Sequence, residues 1–578
     1  MKTERRNKRE RLEFFRSLYE CARDAYSDTL AELDRNMQQY RGSTDIDGGQ
    51  QKAITVRNVT YEIIESQVSS DIPQPKADAA YYSEQKERSA QAIEALCRSL
   101  RDRLPFEEMN DLDERYTYIF GGSVWFVEWD STADYGDVTG GVRVHCLSPR
   151  DFIPQPSVYS VEDMEYCFLR FSTTRFEIVR RYGVREEDSL LAESESISDN
   201  TPEAETVSVI LCFYKGEDGQ IGKFVFSGDL TLSDIENYYK RKTKVCKYCG
   251  NDESGCSCEK PSFTTLDVDF ETVRNRAGLG AVENVPYYVP HNFPIVIRKN
   301  TSAEGSVLGQ SDCTYIRPEQ QAINKIESRI LQKLLRAGVT PIVPEDASVA
   351  VNNSVFGQVI KMKPGESMAQ YGKVDTTPDI SQDIAEAERL YDHCKRILGI
   401  SDAYQGIGEF SNESGVARQL RISQANGRLE SKKKMKYTAY ARIDRLIFEH
   451  YLAFADEPRR ICYKDVYGRV HNACFNRYDF IIFDAAKMSF KYDDAFLFSV
   501  DLNGGSEYQR ETLWQRNLEN LRAGTLGDPT LPTTLLRYWQ NQERAHYPHA
   551  RENVEYFTEL IRKEDTYYAG DKKIDGGA

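Results

Sequence analysis

The sequence predicts an α+β protein in which strand-rich segments flank a central run of long helices. Three observations predict it. Apolar residues recur at spacings of three and four over 4–40, 82–104, 317–337, 378–399, 416–455 and 507–567, the period of an amphipathic helix. From about 112 to 230, and again from 460 to 502, the period falls to two, which reads as strand. The chain is 578 residues long with 40% hydrophobic and 11% aromatic side chains, enough to fill the cores of two to four domains.

Residues 4–40 place Leu12, Phe15, Leu18, Tyr19 and Ala22 on one helical face. RGSTDIDGGQQ (41–51) is loop text. Ala90, Ile93, Leu96, Cys97 and Leu100 make the stripe of a helix over 82–104. Two β-rich stretches follow, YTYIFGGSVWFVEWD (116–130) and GGVRVHCLSPRDFIP (140–154), expected to pair as hairpin strands. The acidic, serine-rich stretch 185–206 is expected to be an exposed loop. Strands resume at VSVILCFYK (207–215) and KFVFSGDL (223–230).

In the centre, Pro318 is expected in the first turn of a helix whose apolar side carries Ile323, Ile326, Ile330, Leu331, Leu334 and Leu335, with Gly338 placed to end it. Strand and turn material fills 339–376. Pro378 opens a second helix with Ile380, Ile384, Ala387, Leu390, Tyr391, Cys394, Ile397 and Leu398, closed by Gly399. A polar loop, SDAYQGIGEFSNESG (401–415), leads to a third helix reaching about residue 454, some 60 Å long at 1.5 Å per residue, with Gly427 a candidate bend. The strands on either side are expected to close one domain across this insertion.

Several function classes are disfavoured. With 91 acidic against 75 basic residues the net charge is −16, which argues against a protein that coats nucleic acid through bulk positive charge. No apolar run is long enough to span a membrane, and MKTERRNKRERLEFF lacks the apolar stretch and cleavage site of a secretory leader, so neither a membrane partner nor secretion is expected. There is no phosphate-binding G-x-x-x-x-G-K-[ST], since GSVLG (305–309) lacks the lysine, and no H-E-x-x-H or G-x-S-x-G. His546 and His549 are the one close histidine pair, and Asp493–Asp494 and Glu186–Glu187 read as solvated charge. No catalytic role is expected.

Thirteen cysteines are present, and four of them fall in CKYCGNDESGCSC (246–258). Cys246, Cys249, Cys256 and Cys258 are spaced C-x2-C-x6-C-x-C, and four thiolates within thirteen residues can surround one tetrahedral ion. A structural zinc is the expectation; reduced or opportunistically oxidised thiols and redox chemistry are the alternatives. Cys21, Cys97, Cys146, Cys167, Cys212, Cys313, Cys394, Cys462 and Cys474 stand singly, as small buried side chains in a reducing compartment do.

Six stretches occur in an order that resembles the portal proteins of tailed double-stranded DNA bacteriophages. They are IIESQVSSDIPQPK (63–76), FGGSVWFVEWD (120–130), LSPRDFIPQPSVYSVEDMEY (147–166), FPIVIRKNTSAEGSVLGQSD (293–312), RPEQQAINKIESRILQKLL (317–335) and NESGVARQLRISQANGRLESKKK (412–434). The similarity covers about 60–500 and leaves out the cysteine cluster. It implies a ring, usually of twelve subunits, at one capsid vertex, through which DNA is packaged and ejected. The terminase motor and later the head–tail adaptor would dock on it, beside major capsid and scaffold proteins. Assembly in the host cytoplasm and residence in the virion are implied as well.

The resemblance also implies boundaries. Residues 1–316 would hold N-terminal helices and a mixed α/β wing, 317–338 the first stem helix, 339–377 a small β-containing clip and 378–399 the second stem helix. The tunnel loop would be 400–415, with Gln405, Gly406, Gly408, Glu409, Phe410, Ser411, Asn412 and Glu413 beside the DNA. Residues 416–506 would form the long helix and complete the wing, and 507–578 the helical crown and tail. Polar Gln320, Asn324, Glu327, Asp383, Glu386 and Asp392 would then suit helices around a wet pore. Lys432, Lys433, Lys434 and Lys436 remain open between phosphate contact, a solvated face and a subunit contact. Two other readings compete: a zinc-containing nucleic-acid-processing enzyme, and a capsid or scaffold component without a channel.

Overall fold

A computed structural model describes residues 8–43, 55–81, 83–134, 138–189, 192, 194–195, 206–248, 258, 262–274, 281–336, 339–342, 372–375, 379–400, 415–464, 470–484, 488–501, 507–545, 547 and 549–571. The chain opens with α1 (Lys8–Ala25) and α2 (Ser27–Tyr40), two helices where the periodicity suggests one. Tyr26, at φ −100° and ψ 2°, makes the break. Then come α3 (Val59–Gln67), β1 (Gln74–Ala79), α4 (Glu84–Arg103), α5 (Phe106–Phe120), β2 (Gly122–Asp134) and β3 (Thr139–Leu147). Next are β4 (Phe152–Pro154), β5 (Tyr166–Thr174), α6 (Arg175–Tyr182), α7 (Glu186–Ser189), β6 (Ser194–Glu195), β7 (Thr206–Lys215), β8 (Ile221–Ser227) and β9 (Leu230–Ile235). The pairs β10 (Arg241–Cys246) with β11 (Phe263–Val268) and β12 (Phe270–Arg274) with β13 (Ala281–Pro286) lead to β14 (Ile295–Lys299).

The central helices are α8 (Asp312–Arg336), α9 (Ser381–Leu398) and α10 (Gly415–Phe454). Between the first two lie β15 (Val339–Ile342) and β16 (Gly372–Asp375), paired with each other. The strands β17 (Arg459–Lys464), β18 (Val470–Phe475), β19 (Ile481–Asp484), β20 (Ser489–Tyr492) and β21 (Phe496–Asp501) follow. Three helices close the chain: α11 (Glu507–Arg522), α12 (Pro532–Arg544) and α13 (Ala550–Asp571). The molecule is α+β. No helix among the described residues is long and apolar enough to cross a membrane.

The expected closure across the insertion is present. Antiparallel β1 and β21 pair from Gln74↔Asp501 to Ala79↔Phe496. One core joins Ile93, Leu96, Trp125 and Val142 from before the insertion to Tyr440, Phe448, Phe475 and Phe496 from after α9. A second core lies between the three-stranded sheet β14-β2-β3 and one face of the larger sheet β4-β5-β7-β8-β9, to which β6 adds on β7. The other face of the larger sheet is covered by α1, whose Phe15 stacks on Phe224 at 4.4 Å.

Several expectations need correction. Residues 116–120 are the end of α5, not strand, and period two begins only at Gly122. Tyr118, Ile119 and Phe120 favour strands in isolation, but all three are buried, and packing on several sides overrides that preference. Pro318 is the seventh residue of α8, which already begins at Asp312. The helix start ahead of it is held from outside: the Ser311 hydroxyl donates to the Ile119 carbonyl at 2.6 Å and accepts from the Cys313 amide at 3.0 Å.

The second central helix opens at Ser381; Pro378 and Gly338 lie outside the described residues, whereas Gly399 does end α9, at φ 74°. Helix α10 runs without interruption through Gly427. The acidic segment 185–206 contains α7 and β6, its remainder lying largely outside the described residues. Asp493 is not solvated but buried on Lys86, 2.9 Å away. Of the single cysteines, Cys97, Cys167, Cys212, Cys313 and Cys394 are buried and Cys146 is half-buried, but Cys21, Cys462 and Cys474 are exposed.

Candidate functional site

Helices α8 and α9 form an antiparallel pair, as contacts Glu319–His393 at 3.2 Å and Lys333–Asp383 at 2.5 Å show. At one end their apolar faces meet α3. Val59 and Ile63 pack there with Ile316, Ile323, Tyr391, Cys394 and Leu398. At the other end the apolar stripe opens to solvent, with Leu334 50%, Leu335 74% and Ile384 45% exposed. Asp383 joins the two helices beyond the core by accepting from Arg329 and Lys333. The Lys333 hydrogen bond leads in holding its carboxyl below the ordinary aspartate range.

Two of the polar residues expected to face a pore face inward instead. Gln320 and Asn324 are 1% and 4% exposed. The Gln320 side-chain oxygen accepts from the Thr60 amide at 3.0 Å, and its amide donates to the Arg57 carbonyl at 2.7 Å and to Asn324 at 2.9 Å. These bonds satisfy polar atoms that burial would otherwise penalise. Glu327 stays partly exposed, 4.0 Å from Arg57. Glu386 pairs with Arg389 at 2.5 Å, and Asp392 is exposed.

The lysine run on α10 divides. Lys433 and Lys434 are exposed, but Lys432 and Lys436, four apart on one helical face, are buried. The Lys432 ammonium donates to Asp312, which also accepts from Asn300 at 2.8 Å and Gln67 at 3.0 Å. Lys436 lies 2.9 Å from Glu114. Of the three readings left open for the run, none holds for Lys432 and Lys436, which are committed to internal ion pairs.

Around Lys436 the sequence reading missed a buried ionic cluster. Arg298 of β14 lies 2.8 Å from Glu114 and donates to Asp113, which also accepts from Ser123 and, at 2.8 Å, from the Trp125 indole. Burial alone would raise the Glu114 carboxyl, yet Arg298 and Lys436 outweigh it and hold it below the usual glutamate range. Burial pushes the Lys436 ammonium down, with Glu114 opposing. Two carboxylates and two cations balance, and their ion pairs join α5, β14 and α10. Its one signal in the sequence is Arg298, a charge inside the apolar run FPIVIRKN.

A cleft of about 530 Å³ lies beside α10, and its charges are likewise engaged. Arg442 pairs with Glu162 at 3.2 Å, Arg445 with Glu449 at 2.9 Å, and Lys215 donates to the Glu162 carbonyl at 2.5 Å. No group of three or more His, Cys, Asp or Glu side chains among the described residues is placed to hold a metal. Of the cysteine cluster, Cys246 and Cys258 are described, with sulfurs 4.0 Å apart; Cys249 and Cys256 lie outside the described residues. So do all eight tunnel-loop residues, Gln405, Gly406, Gly408, Glu409, Phe410, Ser411, Asn412 and Glu413. His549 pairs with Glu552 at 3.3 Å, and His546 is outside the described residues. No protein-family model matches the chain, and no curated protein matches it significantly.

Proposed function

We propose that this chain is a portal subunit: it assembles, with about eleven copies of itself, into a ring at one capsid vertex through which double-stranded DNA is packaged and later ejected. The observation that carries this reading is an arrangement. An antiparallel helix pair, α8 and α9, is inserted together with the 40-residue α10 between two sets of strands that share one core. A helical hairpin ending in a small paired β element, β15–β16, supports the reading as stem and clip, and the body on both sides supports it as wing.

On this reading the segment between α9 and α10 faces the duplex. Its glycines and polar side chains suit a passage that must not adhere, because strong phosphate contacts would add counterion-release affinity at every step. The acidic balance of the chain works in the same direction. The clip would meet the terminase motor first and the head–tail adaptor afterwards, and the outer wing the capsid and scaffold proteins. Energy for packaging comes from the motor, since this sequence lacks a phosphate-binding loop.

Electron microscopy of the purified chain tests the proposal. Closed rings with a central hole of duplex width are expected. A monomer at micromolar concentration, or open shells, would refute it.

A further inference from the structure

A cavity of about 220 Å³ lies between the two facing sheets of the second core, with α6 forming part of its wall. Phe126 of β2, Phe171 of β5 and Leu211 of β7 line it, the two phenylalanine ring centres 6.3 Å apart. Two charged side chains also line it, at positions where strand alternation puts apolar ones. Lys223 stands in β8 between Ile221 and Val225, both fully buried on the same inner face. Glu128 follows Phe126 along the inner face of β2 and is 8% exposed.

The two charges are not equally served. Arg181 of α6 lies 3.3 Å from both Glu128 oxygens, and His145 of β3 lies 3.4 Å from one of them. Burial would raise the Glu128 carboxyl, but the His145 hydrogen bond and the charges of Arg181 and Lys223 outweigh it and hold it at about 2. The Lys223 ammonium sits 5.2 Å from the centre of the Tyr238 ring, and among the described residues no hydrogen bond or ion pair reaches it. Burial pushes it down, with Glu128 opposing. Glu177, the other carboxylate in the wall, pairs with exposed Arg180 at 3.6 Å. Even with His145 left aside, Arg180, Arg181 and Lys223 outnumber Glu128 and Glu177. A cation in an apolar wall without a counter-ion is costly, so an anion is the complement of this site.

We propose that this cavity binds an aromatic monocarboxylate of about the size of benzoate, with its ring against Phe126 and Phe171 and its carboxylate on the Lys223 ammonium. The volume sets the size: it is about half as large again as the roughly 150 Å³ that admits benzene, which leaves room for one carboxylate and none for a second ring. The phenylalanines favour a ring, since aromatic pairs gain beyond the area they bury. The charge sets the head group. A neutral ligand would leave Lys223 unpaired, and an amine would meet both Lys223 and Arg181. Because the ligand touches both sheets, its binding stabilises the folded chain by mass action.

The test titrates the full chain with benzoate, benzyl alcohol and benzylamine, read by calorimetry and by the shift of the thermal midpoint. One benzoate per chain and a raised midpoint are expected, with benzyl alcohol weaker and benzylamine not bound. Lys223→Met puts an apolar side chain in the slot between Ile221 and Val225, and should weaken benzoate about 10–100-fold with little change for benzyl alcohol. Lys215→Met, at a lysine of the larger cleft beside α10, should bind benzoate as the wild type does. Wild-type chain that takes up no benzoate at millimolar concentration would overturn the proposal, and needs no variant to fold. So would benzyl alcohol or benzylamine binding as tightly as benzoate, or Lys223→Met and Lys215→Met behaving alike. The proposal does not rest on the channel reading: rings that bind no benzoate would sink this inference alone, and benzoate bound by a chain that forms no rings the other.

Discussion

The Lys432 ammonium lies 2.6 Å from the Asp312 carboxylate, joining the first residue of α8 to the inner face of α10, with the carboxylate 1% and the ammonium 10% exposed. Removing one member leaves the other buried without its charge partner, a change that costs about 3–5 kcal/mol. Lys432→Ala is therefore expected to lower the unfolding free energy measured in urea by that amount. The double change Lys432→Met with Asp312→Asn should cost clearly less than the two single changes summed. Additive losses would show that the two side chains do not act as a pair.

Gly121 ends α5 at φ 88°, and a Cβ placed there would meet the Gly309 carbonyl oxygen at 2.7 Å. Both the left-handed backbone and the contact with a rigid backbone atom oppose a side chain. Gly121→Ala is expected to destabilise by about 1–3 kcal/mol, measured as a lower unfolding midpoint. An unchanged midpoint would mean that the turn relaxes freely.

His450 and Asp444, both buried on α10, respond to acid in opposite senses. Burial pushes the His450 imidazole down to about 4, although its Nδ1 lies 2.7 Å from the Leu446 carbonyl. The unfolded chain, with a histidine value of about 6.5, therefore takes up a proton first, and stability falls as pH drops from 6.5 toward 4. Burial raises the Asp444 carboxyl to about 6 despite Arg101. Its contribution is present below the unfolded value of about 3.9 and is lost as pH rises to 6. A variant separates the two. Between pH 7 and 5, His450→Gln should lose about 2 kcal/mol less stability than the wild type. Equal losses in urea unfolding at the two pH values would exclude His450 as an acid-sensitive group.

If α8 and α9 pack sideways against neighbouring copies, their solvent-facing apolar residues are the place to break the ring. Leu335→Glu and Ile384→Glu, at positions 74% and 45% exposed, should abolish rings in electron micrographs. Each should leave the subunit's own stability within about 0.5 kcal/mol of wild type. Rings that persist in both variants would remove this face from the assembly.

The order of the central helices was legible because its signals are local, a 3.6-residue apolar rhythm and a terminating Gly399, whereas their starts at Asp312 and Ser381 differ from those the two prolines suggested. The joining of strands from both ends was legible too, since two β-rich blocks flank the insertion. What escaped depends on which neighbour a side chain meets. Gln320 and Asn324 look like solvent-facing residues until Thr60 of α3 and Arg57 just before it bind Gln320, which in turn donates to Asn324. Lys432 and Lys436 look like a basic surface until Asp312 and Glu114 arrive from elements far away in the chain. In α5, local preference pointed the wrong way, because Tyr118, Ile119 and Phe120 are strand formers kept helical by burial. The tunnel-loop residues were assigned by the resemblance, on a segment whose composition says only that it is a polar loop, and they lie outside the described residues.

The pairing of β1 with β21 also sets a clock on synthesis. The Tyr81 hydroxyl beside β1 donates to Asp493, 412 positions later. At roughly 5–20 residues per second, the first strand leaves the ribosome some 20–80 s before its partner exists. Throughout that interval Ile93, Leu96 and Val127 lack the phenylalanines that will cover them, and the edge of β1 is unpaired. The same closure that makes the finished body a single unit thus makes the growing chain dependent on protection, and nascent chains halted before Phe496 should be the ones that aggregate or recruit chaperones.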